Sequence, residues 1–318
     1  MRDIYGRDIT YLRLSVTQQC NLKCVYCNPE SCPEANDQHL LSVSEIHRIC
    51  RLLFKAGIRR IRLTGGEPLL RTDLEDITAA IRSISDDIDL SLSTNGQGLA
   101  PRADALKQAG LNRVNISMDS TDADKFRRLT GGGNLEDTLA AIDACFACGI
   151  SPVKLNAVLI RSINDDEISG MIELTRERPL EVRFIELMPM SSLGRNPKMQ
   201  MSAEEILKLE PRLLKLEQQE PCQPAVRYKI PGYAGTVGLI QPISHQFCHN
   251  CNRIRITADG MLKPCLGTID EVSLIPALKS QDDQVLEDAL LQALFNKPRG
   301  HSFNNSFIPD REMNKTGG

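Results

Sequence analysis

No apolar run in this chain approaches the roughly 20 residues that a helix needs to cross a bilayer, so membrane insertion is excluded and peripheral contact has no support. A charge excess is missing too. With 38 basic and 41 acidic side chains and a pI near 6, nothing favours nonspecific nucleic-acid binding, and any anionic ligand must be held by locally placed cations. No secretory n-region, h-region and cleavage site accompanies the eleven cysteines, which points to a reducing compartment where thiols are ligands rather than disulfides. A cytoplasmic location is expected. The run Gly65-Gly66-Glu67-Pro68 lacks the spacing of a phosphate loop or a dinucleotide fingerprint. A repeat array or a disordered chain is not expected, because 318 residues with 41% hydrophobic content can bury a large core.

What the chain does have is thiols in two sets. Cys20, Cys24 and Cys27 are spaced to hold three irons of a four-iron cluster, leaving the fourth iron open to the amine and carboxylate of a small molecule. Zinc would want a fourth ligand nearby, for which Cys32 is the one further candidate, and the open cluster is preferred. Cys248 and Cys251 are followed by Cys265 after thirteen intervening residues. Zinc with His245 or His249 remains the alternative there. A second open cluster is favoured by the first set and by Arg253-Ile254-Arg255, whose two cations would share one face of a strand beside the metal. Cys50, Cys145 and Cys148 read as buried apolar thiols, while Cys32 and Cys222 lie in loops without an assigned role.

Strands are predicted near 11–16, 59–63, 88–92, 112–117, 152–158 and 181–187, and helices near 43–56, 72–84, 101–109, 134–148, 165–177 and 202–210. This βα order gives a parallel sheet, doubly wound or curled into a barrel, and six units fall short of the eight that close one. Polar and glycine-rich residues follow the strands at Cys20, Gly65–Pro68, Ser93–Gly96, Ser117–Asp119 and Glu186–Pro189, so they should share one rim. Buried parallel strands should be nearly continuous apolar runs, yet Arg13, Arg62, Lys154 and Arg183 interrupt them. Converging cations imply a polyanion such as a triphosphate, and the alternative is pairing with Glu67, Asp119 or Glu186. Gly131-Gly132-Gly133 reads as a flexible connection between helices. The rhythm stops after Pro221, which divides the chain into a core over 1–220 and an extension over 221–318.

The first cysteine set, with Tyr26 before its last member, resembles the radical S-adenosylmethionine (radical SAM) superfamily. Both sets, the runs 12–17, 62–69 and 183–186, and the terminal Gly317-Gly318 together resemble the GTP 3′,8-cyclase (MoaA) family of molybdenum-cofactor biosynthesis over essentially the whole length. The resemblance implies an α/β fold, an incomplete (β/α)6 TIM-like barrel with a C-terminal extension carrying a second iron-sulfur cluster. It implies two [4Fe-4S] clusters, on Cys20, Cys24 and Cys27 and on Cys248, Cys251 and Cys265. It assigns S-adenosylmethionine to Tyr26, Gly66, Ser117 and Met188, and GTP to Arg13, Arg62, Ser93, Lys154, Arg183 and Arg253 to Arg255, including Ile254. Arg253, Arg255, Gly317 and Gly318 would act in cyclisation. GTP as substrate, an external electron donor, a downstream enzyme taking the product, and a monomer or homodimer complete the expectation. Gln18-Gln19, Asn28 and Ser93 depart from the family pattern without removing a ligand or a cation. Other readings are a radical SAM enzyme with an auxiliary cluster acting on a peptide or different nucleotide, an iron-sulfur electron carrier, and a zinc-stabilised binding module.

Overall fold

The computed structural model describes residues 1–27, 40–218, 220–303, 311 and 313–317, so Asn28, Cys32 and Gly318 lie outside the described residues. The strands are β1 (Tyr11–Ser15), β2 (Arg60–Thr64), β3 (Asp89–Thr94), β4 (Arg113–Ser117), β5 (Val153–Leu159), β6 (Glu181–Glu186), β7 (Leu214–Lys215), β8 (Ala225–Lys229), β9 (Thr236–Ile240), β10 (Arg253–Ile256), β11 (Met261–Lys263) and β12 (Val272–Ser273). Helices α1 (Val43–Lys55), α2 (Leu74–Arg82), α3 (Ala103–Gln108), α4 (Ala123–Thr130), α5 (Leu135–Ala147) and α6 (Ile168–Glu173) separate the first six strands. Beyond them come α7 (Ala203–Leu209), α8 (Ile275–Lys279), α9 (Asp283–Phe295) and α10 (Met313–Thr316). Among the described residues, no helix is long and apolar enough to cross a membrane.

The six expected strands and six expected helices all form, because alternating parity sorts each strand. Leu12, Leu14, Ile61, Leu63, Leu90 and Leu92 face outward and are fully buried against the helices. Each such side chain contributes roughly 1.5–3 kcal/mol on leaving water. Helix starts are set by side chains: Ser42 with Glu45 and Ser202 with Glu205 form capping boxes at α1 and α7.

The C-terminal part is more than an appendage to this sheet. The strand order is β12-β11-β10-β1-β2-β3-β4-β5-β6-β9-β8-β7, and β10 and β9 run parallel to β1 and β6. Eight neighbouring strands are therefore parallel, although the last two arrive without the βα alternation that announces the others. The sheet order has two ends, so the barrel is partial. Helix α4 and the connection after it also depart from expectation. Gly131 ends α4 at φ +67°, and a Cβ there would sit 2.8 Å from the Lys23 carbonyl oxygen, so this glycine seats the first cysteine loop rather than serving as a loose connector.

Candidate active site

The inward parity of the strands builds one cavity of about 1000 Å³. Register sets its layers. Arg255, Arg13, Arg62 and Ser91 lie abreast across β10, β1, β2 and β3. Ser93, Asn115, Lys154 and Glu181 form a second row across β3 to β6, and Ser117, Asn156 and Arg183 a third. Among the described residues, no carboxylate forms an ion pair with Arg13, Arg62, Arg253 or Arg255. Arg62 faces the Tyr11 ring at 5.5 Å and the Ser91 hydroxyl at 3.4 Å, and with the Asn115 amide turned so that its oxygen meets the guanidinium, that oxygen accepts from the terminal nitrogens at 2.6 and 2.8 Å. Among the described residues, Arg13 Nε and Asn156 Oδ1 are buried without a hydrogen-bond partner. Burial first, then neighbouring cations, pulls the Arg13 guanidinium below its ordinary pKa; burial does the same to Arg62 and Arg255. An arginine keeps its proton, so the cost is that of burying the charge with mutual repulsion added, and a bound anion would relieve both.

Among the described residues, the strand cations do not pair with the rim carboxylates Glu67, Asp119 and Glu186, the other expectation for them. Glu67 accepts from Thr94 Oγ1 at 2.7 Å and from the backbone of Asn95 and Leu69, and burial raises its pKa to about 7. Glu186 accepts from the backbone of Ile243 and Ser244 at 2.8 and 3.0 Å. Asp119 accepts from Tyr26 Oη and Val158 N, both at 2.8 Å, and burial raises it to about 6. The partner of Lys154 and Arg183 is Glu181, at 2.9 and 2.6 Å. Burial pushes the Glu181 carboxyl up, but Arg183 and Lys154 outweigh it and hold it at about 2. Burial and Arg183 bring Lys154 down to about 8, because two cations share one carboxylate.

Cys20, Cys24 and Cys27 line the cavity, and so do Cys248, Cys251 and Cys265. The first loop is held by Lys23 N and Val25 N donating to the last carbonyls of α4, at 2.8 and 3.0 Å. The β10–β11 hairpin, with Arg255 opposite Lys263, folds Cys265 back toward Cys251. Among the described residues, no three His, Cys, Asp or Glu side chains are arranged to hold a single metal ion. Three thiols in each triad, all on the wall of one cavity, are the donor type that holds a four-iron cluster. His245 and His249 are exposed and outside the cavity wall, leaving the zinc alternative without its expected fourth ligand among the described residues.

Tyr26, Gly66, Ser93, Ser117, Met188, Arg253 and Arg255 also line the cavity. Ile254 does not: its side chain is fully buried in the apolar core on the opposite face of β10. Gly317 is buried, and its carbonyl oxygen accepts from Arg255 Nη1. Gly66 donates to the Thr17 carbonyl at 2.9 Å, and a Cβ on it would meet the Gln19 oxygen at 2.1 Å. Gly66→Ala must therefore displace the segment entering Cys20. We expect it to destabilise the protein by about 1–3 kcal/mol and to lower the iron retained after reconstitution; unchanged iron content and Tm would show that the segment yields freely.

Residues 14–175 match the radical SAM superfamily and residues 180–303 match Molybdenum Cofactor Synthesis C. The chain is 41% identical over 322 residues to a GTP 3′,8-cyclase of Alkaliphilus oremlandii, covering 100% of both. It is 39% identical over 326 residues to the GTP 3′,8-cyclase of Listeria monocytogenes serovar 1/2a, covering 99% of this chain and 96% of that one. In structure it resembles Streptococcus suis SuiB bound to S-adenosylmethionine, with a TM-score of 0.59 at 14% identity over 95% of this chain and 66% of that one, a likeness of fold.

Proposed function

The chain belongs to the GTP 3′,8-cyclase family of radical SAM enzymes, and from its cavity we propose how it converts GTP to (8S)-3′,8-cyclo-7,8-dihydroguanosine 5′-triphosphate in molybdenum-cofactor biosynthesis. Its cofactors are S-adenosylmethionine and two [4Fe-4S] clusters. When bound, they would supply the electron and the 5′-deoxyadenosyl radical that removes the ribose 3′ hydrogen, after which C3′ bonds to guanine C8 and a second electron with a proton completes the dihydro product.

The residues then divide the work. Cys20, Cys24 and Cys27 hold the cluster at the S-adenosylmethionine end, where Gly66, Ser117, Met188 and Tyr26 border the cofactor, with Tyr26 oriented by Asp119. Arg13, Arg62, Lys154 and Arg183 hold the triphosphate, and Ser93 lies in the Lys154 row. Cys248, Cys251 and Cys265 hold the second cluster against the guanine, with Arg253 and Arg255 alongside. Anchoring the nucleotide at both ends presents one hydrogen to the radical and excludes other donors. The observation that carries this reading is the row Arg255–Arg13–Arg62, which has no carboxylate partner among the described residues, in a cavity walled by both cysteine triads. Residues 221–318 act as the cluster- and substrate-binding extension. An external one-electron donor, a downstream enzyme and a cytoplasmic setting, with the chain as monomer or homodimer, complete the proposal.

The reading is tested by anaerobic incubation with S-adenosylmethionine, a strong reductant and each nucleoside triphosphate in turn. We expect 5′-deoxyadenosine and a nucleotide isomer with GTP alone. Deoxyadenosine with every nucleotide unchanged would overturn the substrate assignment and keep the radical chemistry.

A further inference from the structure

Lys297, just after α9, is 2% exposed. Its Nζ donates to the Arg253 carbonyl at 2.8 Å and to the Pro264 carbonyl at 2.7 Å. Those carbonyls belong to the second residue after Cys251 and to the residue before Cys265. Among the described residues, no carboxylate pairs with Lys297, although lysine is almost never this deeply buried without a counter-charge. An ammonium has three donors, and two are used here. Lys297 also shares the cavity wall with the three C-terminal cysteines. Arg7 reinforces it from the N-terminal segment, donating to the Cys248 carbonyl at 2.9 Å while its charge is balanced by Asp3.

The N-terminal triad has the opposite surroundings. Tyr26, next to Cys27, donates at 2.8 Å to Asp119, which is 1% exposed, and the other Asp119 oxygen takes a backbone amide. Among the described residues, no cation pairs with Asp119. One triad therefore has a buried ammonium close by, and the other a buried carboxyl.

We propose that the two sites are electrostatically opposed, with Lys297 the residue that makes the cluster on Cys248, Cys251 and Cys265 the easier of the two to reduce. This rests on the two-cluster reading above. A thiolate-held cluster gains negative charge on reduction, so a nearby cation raises its potential and a nearby anion lowers it. The strongest reductant is then confined to the S-adenosylmethionine end. Lys297 is a positioning residue: it also ties the strand carrying Arg253 to the Cys265 loop, and a purely structural role is the competing explanation.

The test is an anaerobic redox titration of the full-length protein holding both clusters, followed by electron paramagnetic resonance. Signals are assigned with Cys24→Ala and Cys251→Ala proteins. The C-terminal cluster should reduce at the higher potential. Lys297→Met should lower that step at least tenfold in its reduction equilibrium, about 59 mV for one electron, while the N-terminal step stays and Lys297→Arg restores the value. Coincident or reversed steps in the unsubstituted protein overturn the proposal, as does Lys297→Met moving both steps equally or neither. If Lys297→Met fails to hold its C-terminal cluster, the order of steps in the unsubstituted protein still decides. Iron for one cluster only would overturn the two-cluster reading as well; two clusters with the wrong order overturns this inference alone.

Discussion

Removing Gly317 and Gly318 should lower formation of the cyclised nucleotide by about ten- to a hundredfold, while iron content and reductive cleavage of S-adenosylmethionine persist. Gly317 has φ +74°, and a Cβ there would lie 2.8 Å from Thr64 Cγ2 and 3.4 Å from Ser15 Cβ. Only glycine fits such a gap in that conformation. Its carbonyl holds Arg255, whose neighbour across the sheet is Arg13. Without the tail, Arg255 loses a charge-assisted bond worth about 1.5–3 kcal/mol, and it is free to turn away from the substrate. At about 1.36 kcal/mol per tenfold in rate, that alone accounts for one to two decades. Arg255→Ala should remove the same arrangement, so combining it with the deletion should add little further loss. Product analysis beside deoxyadenosine release checks this. Undiminished product would return the tail to an ordinary frayed end, and equal loss of both activities would place the tail in S-adenosylmethionine cleavage.

Much of this arrangement was legible because the barrel interior is written in strand parity. Arg13 with Ser15, Arg62 with Thr64 and Lys154 with Asn156 each break an apolar run on one face, and those faces line the cavity. Glu181 obeys the same parity two residues before Arg183, but a carboxylate at the start of a strand resembles a turn residue, so the sequence does not mark it as part of the site. Strands β9 and β10 are not legible as members of the parallel sheet because no crossover helix introduces them, although the spacing of Arg253 and Arg255 does place both on the face that lines the cavity. Lys297 was invisible for a different reason. Lys-Pro-Arg after a helix reads as a solvated stop, and only tertiary packing brings it under the carbonyls of Arg253 and Pro264. Ile254 marks the converse limit, where a run taken as a unit joins two residues on one face to a third on the other.

Glu181→Gln should destabilise the nucleotide-free protein by about 3–5 kcal/mol, because it leaves Lys154 and Arg183 buried without their shared counter-charge. For a chain of this size that is on the order of 5–10 °C in Tm, compared at one scan rate. The acid dependence carries the same signature. The Glu181 carboxyl, held at about 2 in the folded protein, binds its proton more readily when unfolded, with a usual value of 4.5. Its stabilising contribution is therefore complete above about pH 4.5 and is lost as pH falls toward 2, a limb that the glutamine variant should lack. Adding GTP separates a structural triad from a substrate site. If the triphosphate meets Lys154 and Arg183, it replaces the missing carboxylate, and GTP should raise the Tm of Glu181→Gln more than that of the unsubstituted protein. Equal shifts would mean that the triphosphate never reaches those two cations, leaving the Arg255–Arg13–Arg62 row to hold it alone.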